Sequence, residues 1–400
     1  MWSRRNHAPV LFLSINGEAA NDILALTTSF VYEQNVGKAA TTTWLLDNSD
    51  RSLPADPRLF SNVEWKYRYG YLDDLSPVIT GVIRNVEPKY ADDCTLTITL
   101  YDHSLSLSKG SAGRNWGNVS SSDIAKRLAA KYGLKARVDD SKDKSKRAFV
   151  QPGSVNDLQY LRDLAADLDF EVFVDGSPPE LTFRKKDYDA QPERKLTFYT
   201  DPTEFSYVQS FSPRIESLGA VSSGVAKAST TTNDPKKADV TSGGTGLGGF
   251  ASNYSVVVTP GGGSVVVPRL DPKRGVTSAA PSGADAKRAA TAKRAQMLDR
   301  ANEATSEHPL TPSIRMGTLY EWDGLDSVMN RKWYVKETKS TITGNQASTS
   351  VEWKRNASNK GAKKSDSANN KSADNNKGAG KSSVERKVFV NTATGSSVVQ

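Results

Sequence analysis

The side chains that could do chemistry in this chain are few: three histidines, one cysteine and some adjacent carboxylates. Asp102 and His103 stand together in "YDHSL", at the end of a predicted strand. An aspartate beside a histidine can orient the general base of a hydrolase. That chemistry also needs a nucleophile on a sharp G-x-S-x-G turn, and none precedes the pair. A structural turn is the better reading. His7, His103 and His308 are scattered, with no second ligand at helical or hairpin spacing, and predict no metal site. Cys94 opens "CTLTITLYD", an alternating strand, and reads as an inert thiol. A lone cysteine excludes an intrachain disulfide and a cysteine zinc cluster.

The carboxylate pairs Asp73-Asp74, Asp92-Asp93 and Asp139-Asp140 fall in turn-like loops. Neighbours there point apart and stay solvated, which suits them poorly to acid/base work. "GGTGLGG" (243–249) is glycine-rich but lacks the lysine-threonine ending of a phosphate cradle. "WKYRYGY" interleaves aromatics with cations, as a nucleic-acid surface would. Any half-buried strand shows the same alternation. The formal net charge is +8, and many of the cations lie in one low-complexity tail, which argues against a dedicated nucleic-acid domain. No catalytic residue, cofactor or metal ion is expected. Surfaces rather than a pocket should carry the function.

The elements that position these residues are mostly strands. "VLFLSING" is a strand closed by a turn at Asn16-Gly17, followed by "SFVYEQN" and "TTTWLLDN". "VEWKYRYGY" puts Val63, Trp65, Tyr67 and Tyr69 on one face. "VITGVIRNVEP" and "CTLTITLYDHSL" continue the pattern, predicting a barrel or sandwich. Near residue 118 the period changes. Ser120–Ser122 cap a helix whose Ile124, Ala125, Leu128 and Ala129 share a face, and Gly133 ends it. A charged loop, Asp140–Arg147, should be solvated. Ser154 is expected to cap a second helix, with Asp157 completing a capping box and Leu158, Leu161, Ala165 and Leu168 forming its apolar stripe. Phe170, Val172 and Val174 then alternate with Glu171 and Phe173, and "LTFRK" returns as a second strand after the turn 175–179. Later strands are "KLTFYT", "FSYVQSFSPRIES", a hairpin in "YSVVVTPGGGSVVVP", "GTLYEWDGL" and "RKWYVKETKSTITGNQASTSVEWKR". In the last, Trp333 and Val335 face one way, Tyr334 and Lys336 the other. Residues 283–304 predict a helix of about five turns. Residues 355–383 have almost no apolar side chains and read as a disordered or extended linker. The end, 384–400, is strand-like and suited to docking on a sheet edge.

No stretch approaches the roughly 20 apolar residues needed to span a bilayer, so no membrane anchor is expected. "MWSRRNHAPVLFLSING" lacks a small-residue cleavage site, and folding in a reducing cytoplasm is expected.

Taken in order, several motifs resemble one family. These are Leu161 and Ala165 in the helix before "FEVFVDG" and "LTFRK"; Gly70, Tyr71, Gly81 and Val82 in "GYLDDLSPVITGVIRNVE"; Asp102 and Leu105 in "LTITLYDHSLSL"; the helix "SSSDIAKRLAAKYGL"; and Trp333 and Val335 in "RKWYVKETKSTIT". Together they resemble the late-control D family of phage tail proteins, the central baseplate hub, similar to the amino-terminal part of type VI secretion spike proteins. The likeness spans residues 10–215 and, more loosely, 283–354. Residues 222–282 and 355–400 have no counterpart in it, and no fused lysozyme or peptidase domain is seen.

The resemblance implies a β-rich α+β protein: two tube-like β-barrel domains with an inserted small α+β domain. The expected boundaries are a first barrel at 1–117, the α+β domain at 118–190, and a second barrel at 191–354 with a glycine-rich insertion at 222–282. A linker at 355–383 and a terminal anchor at 384–400 complete the chain. It further implies a homotrimer whose six barrels mimic sixfold symmetry, between a hexameric tail tube protein and a central spike protein. Baseplate wedge and tape-measure proteins would be further partners, and genomic DNA would pass through the channel. The protein would lie in the virion tail or baseplate, assembled in the host cytoplasm. The rival readings are a cell-wall-degrading tail enzyme using Asp102-His103, and a nucleic-acid-binding module.

Overall fold

Alternating strands build the first lobe of the computed structural model, which describes residues 8–110, 113–143, 149–188, 190–198, 207–215, 223–226, 240–243, 254–258, 264–268, 302–325, 329–344, 346–355, 388–390 and 397–399. The lobe comprises β1 (Val10–Ile15), β2 (Glu18–Ala19), α1 (Asn21–Ala25), β3 (Thr27–Asn35), β4 (Thr41–Asp47), β5 (Glu64–Tyr71), β6 (Asp74–Leu75), β7 (Ile79–Lys89) and β8 (Thr95–Tyr101). Asn16 and Gly17 both have positive φ, 52° and 87°, the geometry of a two-residue hairpin turn whose twist matches its strands. Strands run in the order β3-β4-β8-β7-β5-β1. In a flat sheet β3 and β5 would lie about 19 Å apart, four steps of about 4.8 Å. The rings of Phe30 on β3 and Tyr69 on β5 are nevertheless 5.2 Å apart. The sheet therefore curls around an aromatic interior of Phe30, Trp44, Trp65, Tyr67 and Tyr69.

An α+β unit follows: α2 (Ser104–Lys109), β9 (Arg114–Gly117), α3 (Ser121–Lys131), β10 (Lys135–Val138), β11 (Phe149–Gln151), α4 (Asp157–Leu168), β12 (Phe170–Asp175) and β13 (Glu180–Lys185). Its sheet order is β10-β13-β12, with β10 parallel to β13 and β12 antiparallel to it. Ile124, Leu128, Leu161 and Ala165 pack against Leu181 and Phe183 in a core of their own. A capping box at Ser120 and Asp123 starts α3, and Gly133 (φ 68°) follows its end.

Three expectations are corrected here. Asn156, not Ser154, caps α4, accepting from Gln159 N at 2.8 Å. Asp157 thus becomes the first helical residue and is buried. The loop starting at Asp140 is not simply solvated. Asp143 is 5% exposed and accepts from Ser121 N (3.0 Å) and from the Ser121 and Ser141 hydroxyls. The free N–H groups at the start of α3 recruit its carboxylate. Finally, β12 is buried on both faces, Glu171 and Phe173 included.

The second lobe contains β14 (Arg194–Phe198), β15 (Tyr207–Val208), β16 (Ser210–Ile215), the hairpins β17 (Ser223–Ala226) with β18 (Val240–Gly243) and β19 (Tyr254–Val258) with β20 (Ser264–Pro268), then β21 (Asn302–Pro309), β22 (Leu319–Asp323), β23 (Lys332–Thr343) and β24 (Gln346–Lys354). The expected helix 283–304 is overturned at its end. Asn302–Ala304 open β21, which pairs on both edges, with β16 and β24. Two ladders outweigh the local helix propensity of alanine there. Residues 283–301 lie outside the described residues, as do His7, 244–249 and 356–387. The core is Trp322, Trp333, Trp353 and Tyr320, with Phe211 packed 4.2 Å from Trp322.

The two lobes share β23. On one edge, Lys332–Tyr334 pair with β22 and Glu337–Thr343 with β3; along the other edge runs β24. A bulge between Val335 and Glu337 marks the changeover. The described strands of the large sheet thus form one connected ladder, nearly all antiparallel. The unit 360–400 contains β25 (Val388–Val390) paired with β26 (Ser397–Val399).

Candidate functional site

Asp102 directly follows β8 and is enclosed. Its Oδ2 accepts from Ala40 N (2.8 Å) and its Oδ1 from Ser104 N (2.9 Å) and the Ser104 hydroxyl. Burial pushes its pKa up to about 6, against the pull of those hydrogen bonds. Asp102 therefore fixes the turn into α2 and does not orient His103. The His103 Nε2 instead lies 3.3 Å from Glu64 Oε2.

The other motif residues disperse into the three cores. Gly70 has φ 139°, and a Cβ there would lie 2.2 Å from the Asp74 carbonyl oxygen, so only glycine fits. Tyr71 packs against the first-lobe core. At Gly81 a Cβ would sit 3.1 Å from Leu100 Cβ, which lets β7 and β8 approach closely. Leu161 and Ala165 are in the α+β core. Trp333 donates from Nε1 to Met329 O (3.1 Å), and Val335 is fully buried. Trp333 and Val335 face the second-lobe core, whereas Tyr334 is not part of it and is nonetheless buried, because its side meets the α+β unit.

That meeting is a polar joint. Glu171 Oε1 accepts from Arg184 Nε at 2.6 Å, and Glu171 Oε2 accepts from the Tyr334 hydroxyl. Arg184 also donates to Gly317 O. Burial raises the Glu171 pKa, and the Arg184 charge only partly offsets this. A second buried carboxylate, Asp157, gathers the unit itself. It accepts from Tyr132 (2.7 Å), Lys131 (2.8 Å), Gln151 (2.8 Å) and Arg114 (3.2 Å). Burial alone would raise its pKa, but the hydrogen bonds from Lys131, Gln151 and Tyr132 and the Arg114 charge hold it below the ordinary aspartate value. Sequence periodicity missed both roles. For Glu171 the available signal was Arg184, its direct cross-strand partner.

Between the first lobe and the α+β unit lies a cleft of about 470 Å³. Tyr32, Gln34 and Thr80 line it from the curled sheet, Lys135 and Arg137 from β10, and Asp175 and Glu180 from the hairpin β12–β13. Arg315 lines it from the loop before β22. Among the described residues no group of three or more histidine, cysteine or acidic side chains is placed to hold a metal ion.

No family model matches the sequence, and no curated protein matches it significantly. Solved structures do match. A tail protein from Neisseria meningitidis superposes with a TM-score of 0.60 over 87% of this chain and 97% of its own, at 11% identity. The chain has the fold of phage tail proteins. A 43 kDa prophage tail protein from Shewanella oneidensis gives a TM-score of 0.56 at 12% identity, covering 86% of this chain and 97% of that one. A component of the E. coli type VI secretion system, described as structurally similar to tail proteins of bacteriophage T4, gives 0.54 at 10% identity over 85% and 76%. These likenesses agree with the tail-hub resemblance carried by the sequence motifs.

Proposed function

We propose that the chain is a structural hub of a phage tail or baseplate, acting through its surfaces and not by catalysis. Three copies close a pseudo-sixfold ring that joins the hexameric tail tube to the central spike and lines the channel through which genomic DNA leaves. The observation that carries this reading is the sharing of β23 by two lobes, each a strand ladder wrapped around an aromatic core. Six such lobes in three chains would supply the sixfold collar, in the manner of heterologous ring closure.

The two-barrel division, 1–117 and 191–354 around an α+β domain at 118–190, is part of the proposal. The first lobe supports it by its curl. The second supports it by its pairing path: β14-β22-β23-β24-β21-β16, with β15, one residue before β16, pairing back to β14. Wedge and tape-measure proteins would attach outside the ring, and the protein would reside in the virion tail or baseplate.

Light scattering and class averages of the purified chain, alone and mixed with its tube and spike proteins, test this. Threefold rings with six lobes are expected. A monomer under every condition overturns it. Clearing of peptidoglycan that Asp102→Ala abolishes would support the enzymatic rival.

A further inference from the structure

We propose that the cleft between the first lobe and the α+β unit binds an extended polypeptide segment carrying charges of both signs, supplied by a neighbouring protein.

The cleft is polar and unsatisfied. Thr80 is 6% exposed, and its buried hydroxyl has no hydrogen-bond partner. Gln34, also on the cleft wall, is 8% exposed. A buried hydroxyl like that of Thr80 costs stability unless a ligand or water pairs it. Around them stand Lys135, Arg137 and Arg315, facing Asp175 and Glu180, and none of the five forms an ion pair with a described residue. Burial raises the Asp175 pKa, and the nearby Arg315 charge opposes this. The cleft thus offers fixed charges of both signs to an incoming chain.

One strand edge is open there. β7 pairs with β8 only from Val82 onward, which leaves Ile79–Gly81 with β5 alone. Opposite it, β10, β13 and β12 all contribute to the cleft wall, with Lys135, Arg137, Glu180 and Asp175. An extended peptide can add to the free edge of β7 through its backbone while its side chains take the charged wall. About 470 Å³ accommodates three or four residues.

Other ligand classes fit less well. The carboxylates Asp102, Asp175 and Glu180 offset the three cations, so a phosphate backbone gains no net attraction. The rings of Tyr32 and Tyr69 are buried, at 6% and 4% exposure, leaving no open face for stacking a sugar.

The test is titration of the full chain with a synthetic library of hexapeptides, followed by hydrogen exchange. Three sets are compared: mixed Lys/Glu sequences on a Thr/Val backbone, all-acidic sequences and all-basic sequences. Mixed-charge peptides are expected to bind and to slow exchange at Ile79–Gly81. All-acidic and all-basic sets should bind at least about 10-fold more weakly. Arg137→Glu, an exposed change that leaves the folded core intact, should weaken mixed-charge binding by about 10-fold or more. No protection in the cleft with any mixed-charge peptide overturns the proposal. So does equal binding of single-stranded oligonucleotide that Arg137→Glu abolishes. These outcomes do not depend on ring formation, which is read separately by light scattering.

Discussion

Asp157 and Glu171 are both buried carboxylates of the α+β unit, yet their proton affinities move in opposite directions. Asp157 receives four donors, two of them cationic, from α3, β9 and β11. Glu171 receives two, one cationic, and one of them comes from the other lobe. Desolvation penalises both charges; the compensating cations decide which stays comfortably ionised. The difference separates two tasks. Asp157 ties the unit to itself, while Glu171 ties it to β23.

Removing the well-compensated carboxylate should do the most damage. Asp157→Ala leaves Gln151 and Tyr132 without their acceptor and takes the counter-charge from the partly exposed Lys131 and Arg114; it should cost about 3 kcal/mol, read by calorimetry or denaturant unfolding. A loss below about 1 kcal/mol would erase the contrast. Asp102 extends the comparison, because it has hydrogen bonds but no cationic donor. Its pKa, raised from 3.8 to about 6, means that its contribution is fully present below the unfolded value and is lost as pH rises through about 6. That loss amounts to about 3 kcal/mol. Asp102→Asn, which keeps an acceptor oxygen, should flatten the stability profile between pH 4 and 7 by that order. An unchanged profile would show that hydrogen bonds alone suffice to keep the carboxylate ionised.

Tyr334→Phe takes from Glu171 its donor across the seam. It should cost about 1–2 kcal/mol and speed amide exchange at the β12–β23 contact. The smallest effect belongs to Glu171→Gln, within about 1 kcal/mol at neutral pH, because it removes a charge the site holds poorly. Its pH signature is the sharper readout. Glu171 stabilises the fold below the ordinary glutamate value and loses that contribution as pH rises, so the glutamine variant should resist alkaline titration better than the parent. Asp157 behaves oppositely: its contribution is present above the ordinary aspartate value and lost as pH falls through its lower folded value.

Much of the fold was legible in the sequence, because burial on one face imposes a period. Trp65, Tyr67 and Tyr69 declared β5, and Ile124, Leu128 and Leu161 declared the two long helices. The reading failed where a strand is covered on both sides. Glu171 and Tyr334 look like solvent positions in an alternating pattern and become interior only because another unit lies against them. At Asn302–Ala304 a helical composition yielded to ladders on both edges. Asp143 looked like one charge among many until α3 offered it free N–H groups. The cleft was invisible for another reason. Tyr32, Thr80, Arg137, Asp175 and Arg315 come from five separated segments, and no local spacing relates them.

The shared strand β23 also governs the order in which the protein can be made. β3 ends at Asn35, but the strand that covers its second edge starts at Lys332. During translation the edge of β3 stays bare until the long segment between them and β23 itself have left the ribosome, an interval in which open edges invite wrong pairing. Its side chains suit that wait: Glu33 stands near the far end of the strand, and once β23 arrives Lys339 meets it at 2.7 Å.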